Sequence, residues 1–319
     1  MNNKNNNQEK YKKLSCPNCK SKNIIKRGKR KTENRDLIQR FSCKDCSFRF
    51  VEKDAFFRMR NSKQKVTMCI DLYYKGVSLR NVQRFLKAHF PKNSTPMSIY
   101  RWIVKYSDLV SKFTDNLEIQ VGEEMMSDEM EYYRRVNKHS NGREQNWFVD
   151  TFDLKNRFMI SGEYMKSRTI ENLTSVMKTS KNKTGEQIRK ITTDGLQGYP
   201  RVLRKAFGVD KTYGYGLHKR TKDNIIHNVV IASERGFNHP IERLHNTIRE
   251  RTKVMRGFHG NLKSAKSIMK GFEINYNFIR GNLALNGKTP SDLATDLEFE
   301  SPNRWLELIE IASNKNGKN

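Results

Sequence analysis

A chain of 319 residues with 62 Lys or Arg against 34 Asp or Glu carries a formal net charge of +28, far more than solubility asks for. At 35% hydrophobic and 10% aromatic it can bury the cores of two or three domains, which excludes a wholly disordered chain. No apolar run approaches the roughly 20 residues that span a bilayer, so no membrane partner is expected, and the charge surplus points to phosphate instead.

Residues 1–13, MNNKNNNQEKYKK, lack the apolar stretch of a signal peptide and read as a disordered polar lead-in. Residues 14–53 then carry Cys16, Cys19, Cys43 and Cys46 as two C-x2-C turns with 23 residues between them. Each turn presents two thiolates to one tetrahedral ion, so the quartet reads as a structural Zn²⁺ site on a small β ribbon. The other reading is a pair of reactive dithiols. Strands are expected over Asn23–Arg27, Leu37–Ser42 and Phe48–Val51, with Lys26, Arg27, Lys29, Arg30 and Lys31 crowding a connecting loop. Cys69 reads as an inert core thiol, and four metal-spaced cysteines suit a reducing cytoplasm.

Residues 60–110 are expected to hold three helices. Lys63–Tyr74 places Val66, Cys69, Ile70 and Tyr73 on one face and ends at Gly76. Ser78 can cap Leu79–Phe90, in which Leu79, Val82, Phe85 and Leu86 keep helical spacing. Thr95 followed by Pro96 starts a third helix, Pro96–Tyr106, which buries Ile99, Trp102 and Ile103 and exposes Ser98, Arg101 and Lys105. A capped, basic third helix fits a helix-turn-helix that enters the major groove; a plain three-helix bundle fits the same pattern.

From residue 117 the period changes. Leu117–Val121 with Glu124–Val136, then Trp147–Asp153 and Phe158–Tyr164, read as three strands, with turns at Asn141-Gly142 and Asp153–Asn156. A helix over Thr169–Ser180, a fourth strand ending at Asp194-Gly195, and a helix over Arg201–Phe207 follow. Beyond them lie a basic loop (His218, Lys219, Arg220, Lys222) and a long helical region from Pro240 to Arg280. This order predicts an α/β domain with a mixed sheet over 117–285, then a C-terminal tail over 286–319.

Three acids stand out. Asp128 sits mid-strand among apolar neighbours, where a carboxylate needs a cation to offset desolvation. Asp194 closes the fourth strand, and Glu242 opens the late helix in Asn238-His-Pro-Ile241-Glu242-Arg-Leu-His245. Singly each has an ordinary explanation: a surface ion pair, a turn acid, a first-turn glutamate favoured by the helix dipole. Asp150, on the second strand, reads as a supporting carboxylate or as a satisfied β-turn acid, the second being preferred. An acid on strand one, one on strand four and a glutamate on a later helix together form the carboxylate order of the RNase H-like fold.

Ser127-Asp128-Glu129, Thr192-Thr193-Asp194-Gly195 and Ile241-Glu242-x2-His245, running into Arg249, Arg251 and Arg256-Gly257-Phe258, carry a resemblance over residues 14–312. With the ending Thr289-Pro290 and Asn303-Arg304-Trp305-Leu306, the chain resembles DDE-class transposases of prokaryotic insertion sequences. The resemblance implies a zinc ribbon and helix-turn-helix that read transposon ends, ahead of an RNase H-like catalytic domain. Asp128, Asp194 and Glu242 would hold two Mg²⁺, or Mn²⁺ in their place, for hydrolytic nicking and 3′-OH strand transfer. Ser98, Arg101, Lys105, His245, Arg249, Arg251, Lys253 and Arg256 would contact DNA. The partners implied are double-stranded DNA (ends and target) and further copies of the chain, in the cytoplasm at the nucleoid.

The 47 residues between Asp194 and Glu242 exceed the spacing of several such families, which implies an insertion over Phe207–Phe237 and leaves Glu234 as a rival third acid. His245 could instead be a packed helix histidine. Two other functions fit the motifs: a zinc-ribbon DNA-binding regulator with a non-catalytic RNase H-like domain, and an RNase H-like nuclease acting on RNA or hybrid.

Overall fold

The computed structural model describes residues 14–32, 37–92, 94–136, 142–208, 225–230, 239–252, 255, 257–258 and 260–316. The chain divides into two compact units, Met1–Val66 and Thr67–Asn319. The first holds a three-stranded antiparallel sheet, β1 (Ile24–Lys31), β2 (Leu37–Cys43) and β3 (Arg49–Val51), in that order. A bulge between Lys26 and Lys29 lets β1 run further than its apolar start suggests, and Gly28 (φ +68°) supplies the left-handed residue there. The five basic residues expected in a loop therefore lie along β1, all of them exposed.

Helices α1 (Lys63–Tyr74), α2 (Leu79–His89) and α3 (Pro96–Thr114) form where the caps place them. Ser78 Oγ accepts from Asn81 N and Thr95 Oγ1 from Ser98 N, satisfying donors that a helix start leaves open. Helix α3 runs two turns past the expected end because Val110 and Phe113 continue its buried face. That face packs on α7 (Leu262–Ile274) and on α9 (Arg304–Asn316). From Thr67 onward the helices thus share a compact unit with the sheet that follows. Residues 286–316 are no tail either. Arg304 holds Asp292 of the short α8 (Ser291–Ala294) and the Phe278 carbonyl, while Trp305 stacks on Tyr74 at 5.5 Å.

The second unit is α/β. Its mixed five-stranded sheet runs β10 (Ile226–Val229), β9 (Lys190–Thr193), β4 (Glu124–Glu131), β7 (Trp147–Asp153), β8 (Met159–Met165). β4, β7 and β8 are antiparallel neighbours; β9 runs parallel to β4, and β10 parallel to β9. A small β5–β6 pair (Arg134–Arg135, Arg143–Glu144) stands apart. Leu117–Val121 forms no strand: Ile119 and Gln120 donate to the carbonyls of Lys183 and Ala294, and Val121 to the Gln187 side chain. β10 was not expected; its four residues are too few to show a period. The long helical region is two helices, α6 (His239–Thr252) and α7, the second capped by Asn261 and closed by a π turn over Asn275–Ile279.

β7 is buried along nearly its whole length because helices cover both faces of the sheet. On one face Thr151 meets Ser180 of α4 (Ile170–Thr184) at 2.7 Å. On the other, Gly162 lies under Phe148 and Glu273 of α7. Gly271 marks the tightest helix crossing, since an added Cβ would stand 1.8 Å from Tyr74 Oη, which bonds Ser107 and the Ile268 carbonyl. Gly271→Ala is therefore expected to destabilise the second unit by about 3 kcal/mol through overpacking, read as a lower urea midpoint.

Behind that crossing lies a buried ionic cluster. Lys183 reaches Asp115 at 3.2 Å and Glu273 at 3.8 Å, and Lys270 reaches them at 2.8 and 3.0 Å. Burial pushes Glu273 upward against the pull of both lysines. Lys183→Met should cost about 3 kcal/mol in the same melt, because it leaves a buried carboxylate short of one partner, whereas a double Lys183→Met, Glu273→Leu variant should recover part of the loss.

Candidate metal centres and basic surfaces

Cys16, Cys19, Cys43 and Cys46 bring their sulfurs within 4.8 Å of one another, with Cys16–Cys46 and Cys19–Cys43 at 3.5 Å each. A tetrahedral Zn²⁺ with Zn–S bonds of about 2.3 Å would set its sulfurs about 3.8 Å apart, so the cluster can hold a metal ion of that kind. The residues after the two turns, Lys20 and Ser47, share the left-handed backbone at φ 60° and 57°. Neither is glycine, and each such placement costs roughly 1–2 kcal/mol. Asp45 ties one turn to the other by accepting from Ser21 and from Asn23 Nδ2 (2.9 Å). The Phe48 backbone N–H holds the Cys46 thiol down to about 6, which favours the thiolate a metal needs.

A second cluster forms where β9 ends. β9 pairs with β4 only as far as Thr193 opposite Ser127, so Asp128 and Glu129 lie just past the end of their neighbour, beside Asp194. Carboxylate oxygens of Asp128, Glu129 and Asp194 approach within 4.8 Å of one another, a group that can bind a divalent cation. Adjacent residues of a strand face opposite ways, so Asp128 and Glu129 meet Asp194 from the two sides of the sheet. Glu129 accepts from Oη of Tyr199, the first residue of α5 (Tyr199–Phe207), at 2.6 Å. It also lies 3.7 Å from Arg168, which stacks over Trp147. Burial, opposed in part by Tyr199, raises Glu129 to about 7; burial, opposed by His245, raises Asp128 to about 6. A cation among them would offset that cost. Asp194 is fixed by its own turn, accepting from Leu196 N at 3.0 Å.

His245 of α6 is 2% exposed and bridges two acids, with Nε2 2.6 Å from Asp150 and Nδ1 3.5 Å from Asp128. Burial works against the imidazolium, yet Asp150 and Asp128 outweigh it and raise the His245 pKa. Asp150 is no turn acid. It lies mid-strand on β7 opposite Asp128, fully buried, and its second carboxylate oxygen has no partner. Glu242 stands one helical turn before His245, half-buried, and is not one of the three clustered acids.

Of the expected phosphate contacts, Arg101, Lys105 and Arg249 are exposed and Ser98 is half-buried. His245 and Arg251 do not face solvent. Arg251 is 5% exposed, donates to the Tyr73 and Val77 carbonyls and stacks over the Tyr73 ring, so its role is internal. Gly257-Phe258 is structural as well: Phe258 packs between Tyr132 and Tyr164, and Gly257 passes close to the Tyr133 carbonyl. Lys253, Arg256, Glu234 and the basic stretch His218–Lys222 lie outside the described residues. Glu129, Tyr199 and Arg168 were missed by sequence reasoning; only Glu129, beside Asp128, carried a signal.

No protein-family model matches the chain, and comparison with curated proteins finds no relative. Among the described residues, no helix is long and apolar enough to cross a membrane.

Proposed function

We propose that the chain is a DDE-class transposase that cuts and joins DNA at the ends of an insertion sequence. The observation that carries this reading is the meeting of Asp128 and Asp194, distant in sequence, at the end of the parallel β4–β9 pair. Strand ends in α/β sheets are where ligands sit. The strand order, three antiparallel strands and then two parallel additions, fits an RNase H-like sheet with acids on its first and fourth strands.

Asp128 and Asp194 would hold divalent cations, with Glu242 as third ligand. Residues three apart share a helix face, so Glu242 lies on the side of α6 from which His245 reaches Asp128. Glu129 is already engaged by Tyr199 and Arg168 and acts as a neighbouring acid that sharpens the negative field. His245, anchored on Asp150, positions Asp128 as a hydrogen-bonded neighbour commonly does for a metal ligand. Bound Mg²⁺ or Mn²⁺ would supply Lewis acidity at the scissile phosphate and at the leaving oxygen. Arg249 supplies cationic charge from α6, and the outward side of α3 presents Arg101 and Lys105 to duplex DNA. Zn²⁺ in the cysteine cluster is structural. Joining two ends implies more than one copy on DNA.

The exclusion of Glu242 from the acid cluster favours one rival, a DNA-binding regulator whose acids no longer catalyse. Labelled duplex taken from the DNA flanking the gene separates them. Nicking at a repeat boundary in Mg²⁺, lost on chelation, is expected; tight binding without nicking in either Mg²⁺ or Mn²⁺ would select the regulator.

A further inference from the structure

The first unit carries a groove of about 520 Å³ beside the second cysteine turn. Its floor is aromatic. Phe48, Phe50 and Phe41 form a row of near-parallel rings, with centroids 6.4 Å apart between Phe48 and Phe50 and 5.7 Å between Phe50 and Phe41. Phe48 is 43% exposed, so the outer end of the row is open to solvent. The rim is cationic: Arg27, Arg40 and Arg49 line the groove, with Lys53 and Arg58 beside Phe57. Among the described residues no acid lines it, and no carboxylate pairs with Arg27, Arg40 or Arg49.

Open rings surrounded by cations suit a ligand that has flat apolar faces joined by regularly spaced anions. We propose that this groove binds an unpaired nucleic-acid strand, stacking a base on Phe48 while the arginines take the flanking phosphates. Aromatic platforms in positive grooves bind single strands in this way, with little sequence preference. Inside a duplex the bases cover one another and present only their edges, so only a terminal pair could reach the platform. The metal site fixes the groove: Cys43 N bonds the Phe48 carbonyl, and the left-handed Ser47 turns the chain into Phe48. The choice of DNA over RNA rests on the transposase reading, in which strands at a cut end become unpaired; the stacking site itself does not depend on it.

The test is fluorescence anisotropy of the full-length, zinc-loaded protein with dT12, rU12, a 12-base-pair duplex and a polyglutamate peptide of equal charge. Phe48→Ala should weaken dT12 binding about 5- to 100-fold and leave duplex binding within about 2-fold. Phe48→Trp should bind dT12 at least as tightly as the wild type. Unchanged dT12 affinity in Phe48→Ala, equal losses on dT12 and duplex, or polyglutamate binding as tight as dT12 would each overturn the site. Preference for rU12 over dT12 would overturn its assignment to DNA. These readouts need no catalysis, so they stand or fall separately from DNA cleavage by the second unit.

Discussion

Asp128→Asn is expected to lower metal-dependent DNA cleavage by at least about 10³-fold, close to 4 kcal/mol of barrier, while duplex affinity stays within about 2-fold. The two effects separate because of where Asp128 sits. It meets Asp194 and His245 at the end of β9, whereas the exposed cations Arg101 and Lys105 are carried by α3. Asparagine keeps the shape but removes the charge that would hold a cation. The variant should not fold worse. Asp128 is raised to about 6 mainly by burial, so its charged form is costly without a bound ion, and neutralising it relieves repulsion from Asp150 and Asp194. Single-turnover nicking assays across Mg²⁺ concentrations, with binding measured in Ca²⁺, check both halves. An Asp128→Asn protein that cleaves within about 10-fold of the wild type would remove Asp128 from the chemistry.

Cys16→Ser should unfold the first unit and leave the second intact. The ribbon buries little apolar surface: among the described residues its buried apolar side chains are Phe41, Cys16 and Cys43, with Phe56 further along. A small ribbon of this kind depends on its metal, whose binding is worth on the order of 10 kcal/mol of folding free energy. Losing one thiolate of four would also strand the left-handed turns at Lys20 and Ser47, whose backbone cost a bound metal would offset. Trypsin should then cut the basic strand β1, which hydrogen bonds to β2 protect in the folded ribbon, while the urea melt of the second unit is unchanged. Specific binding to the ends should fall, and the remaining affinity should drop steeply with salt as general phosphate binding does. Equal resistance of β1 to trypsin in wild type and variant would show that the cysteines are not what holds the unit.

Features set by local chemistry are legible in the amino-acid sequence. Ser78 and Thr95 start helices because a side-chain oxygen and the open N–H groups of the first turn are enough to specify the end. Trp147–Asp153 reads as a strand to the residue, since Trp147, Phe148, Val149 and Phe152 are strand-favouring side chains. The cysteine spacing identifies its cluster for a similar reason: a tetrahedral site constrains sequence directly. What fails to show depends on distant partners. His245 and Arg251 sit on a helix whose sequence looks like a basic DNA-facing surface, yet each turns inward, one to Asp150 and Asp128, the other to the Tyr73 carbonyl. Glu129 can be assigned to the site only by knowing that β9 stops short of it. Its alternation alone would send it to the other face. Asp150 likewise looks like a turn acid because nothing near it in sequence announces the histidine that arrives from α6.

Joint action of Asp128, Asp194 and Glu242 on DNA is open to direct measurement. The most direct measurement is strand transfer in Mg²⁺: a DNA end with a free 3′-OH is offered with a target duplex to wild type, Glu242→Gln and Glu129→Gln. Wild type should join the strands, Glu242→Gln should lose at least about 10³-fold, and Glu129→Gln should lose less. Joining by Glu242→Gln at the wild-type rate, or no joining by a wild-type protein that binds the end tightly, would contradict it.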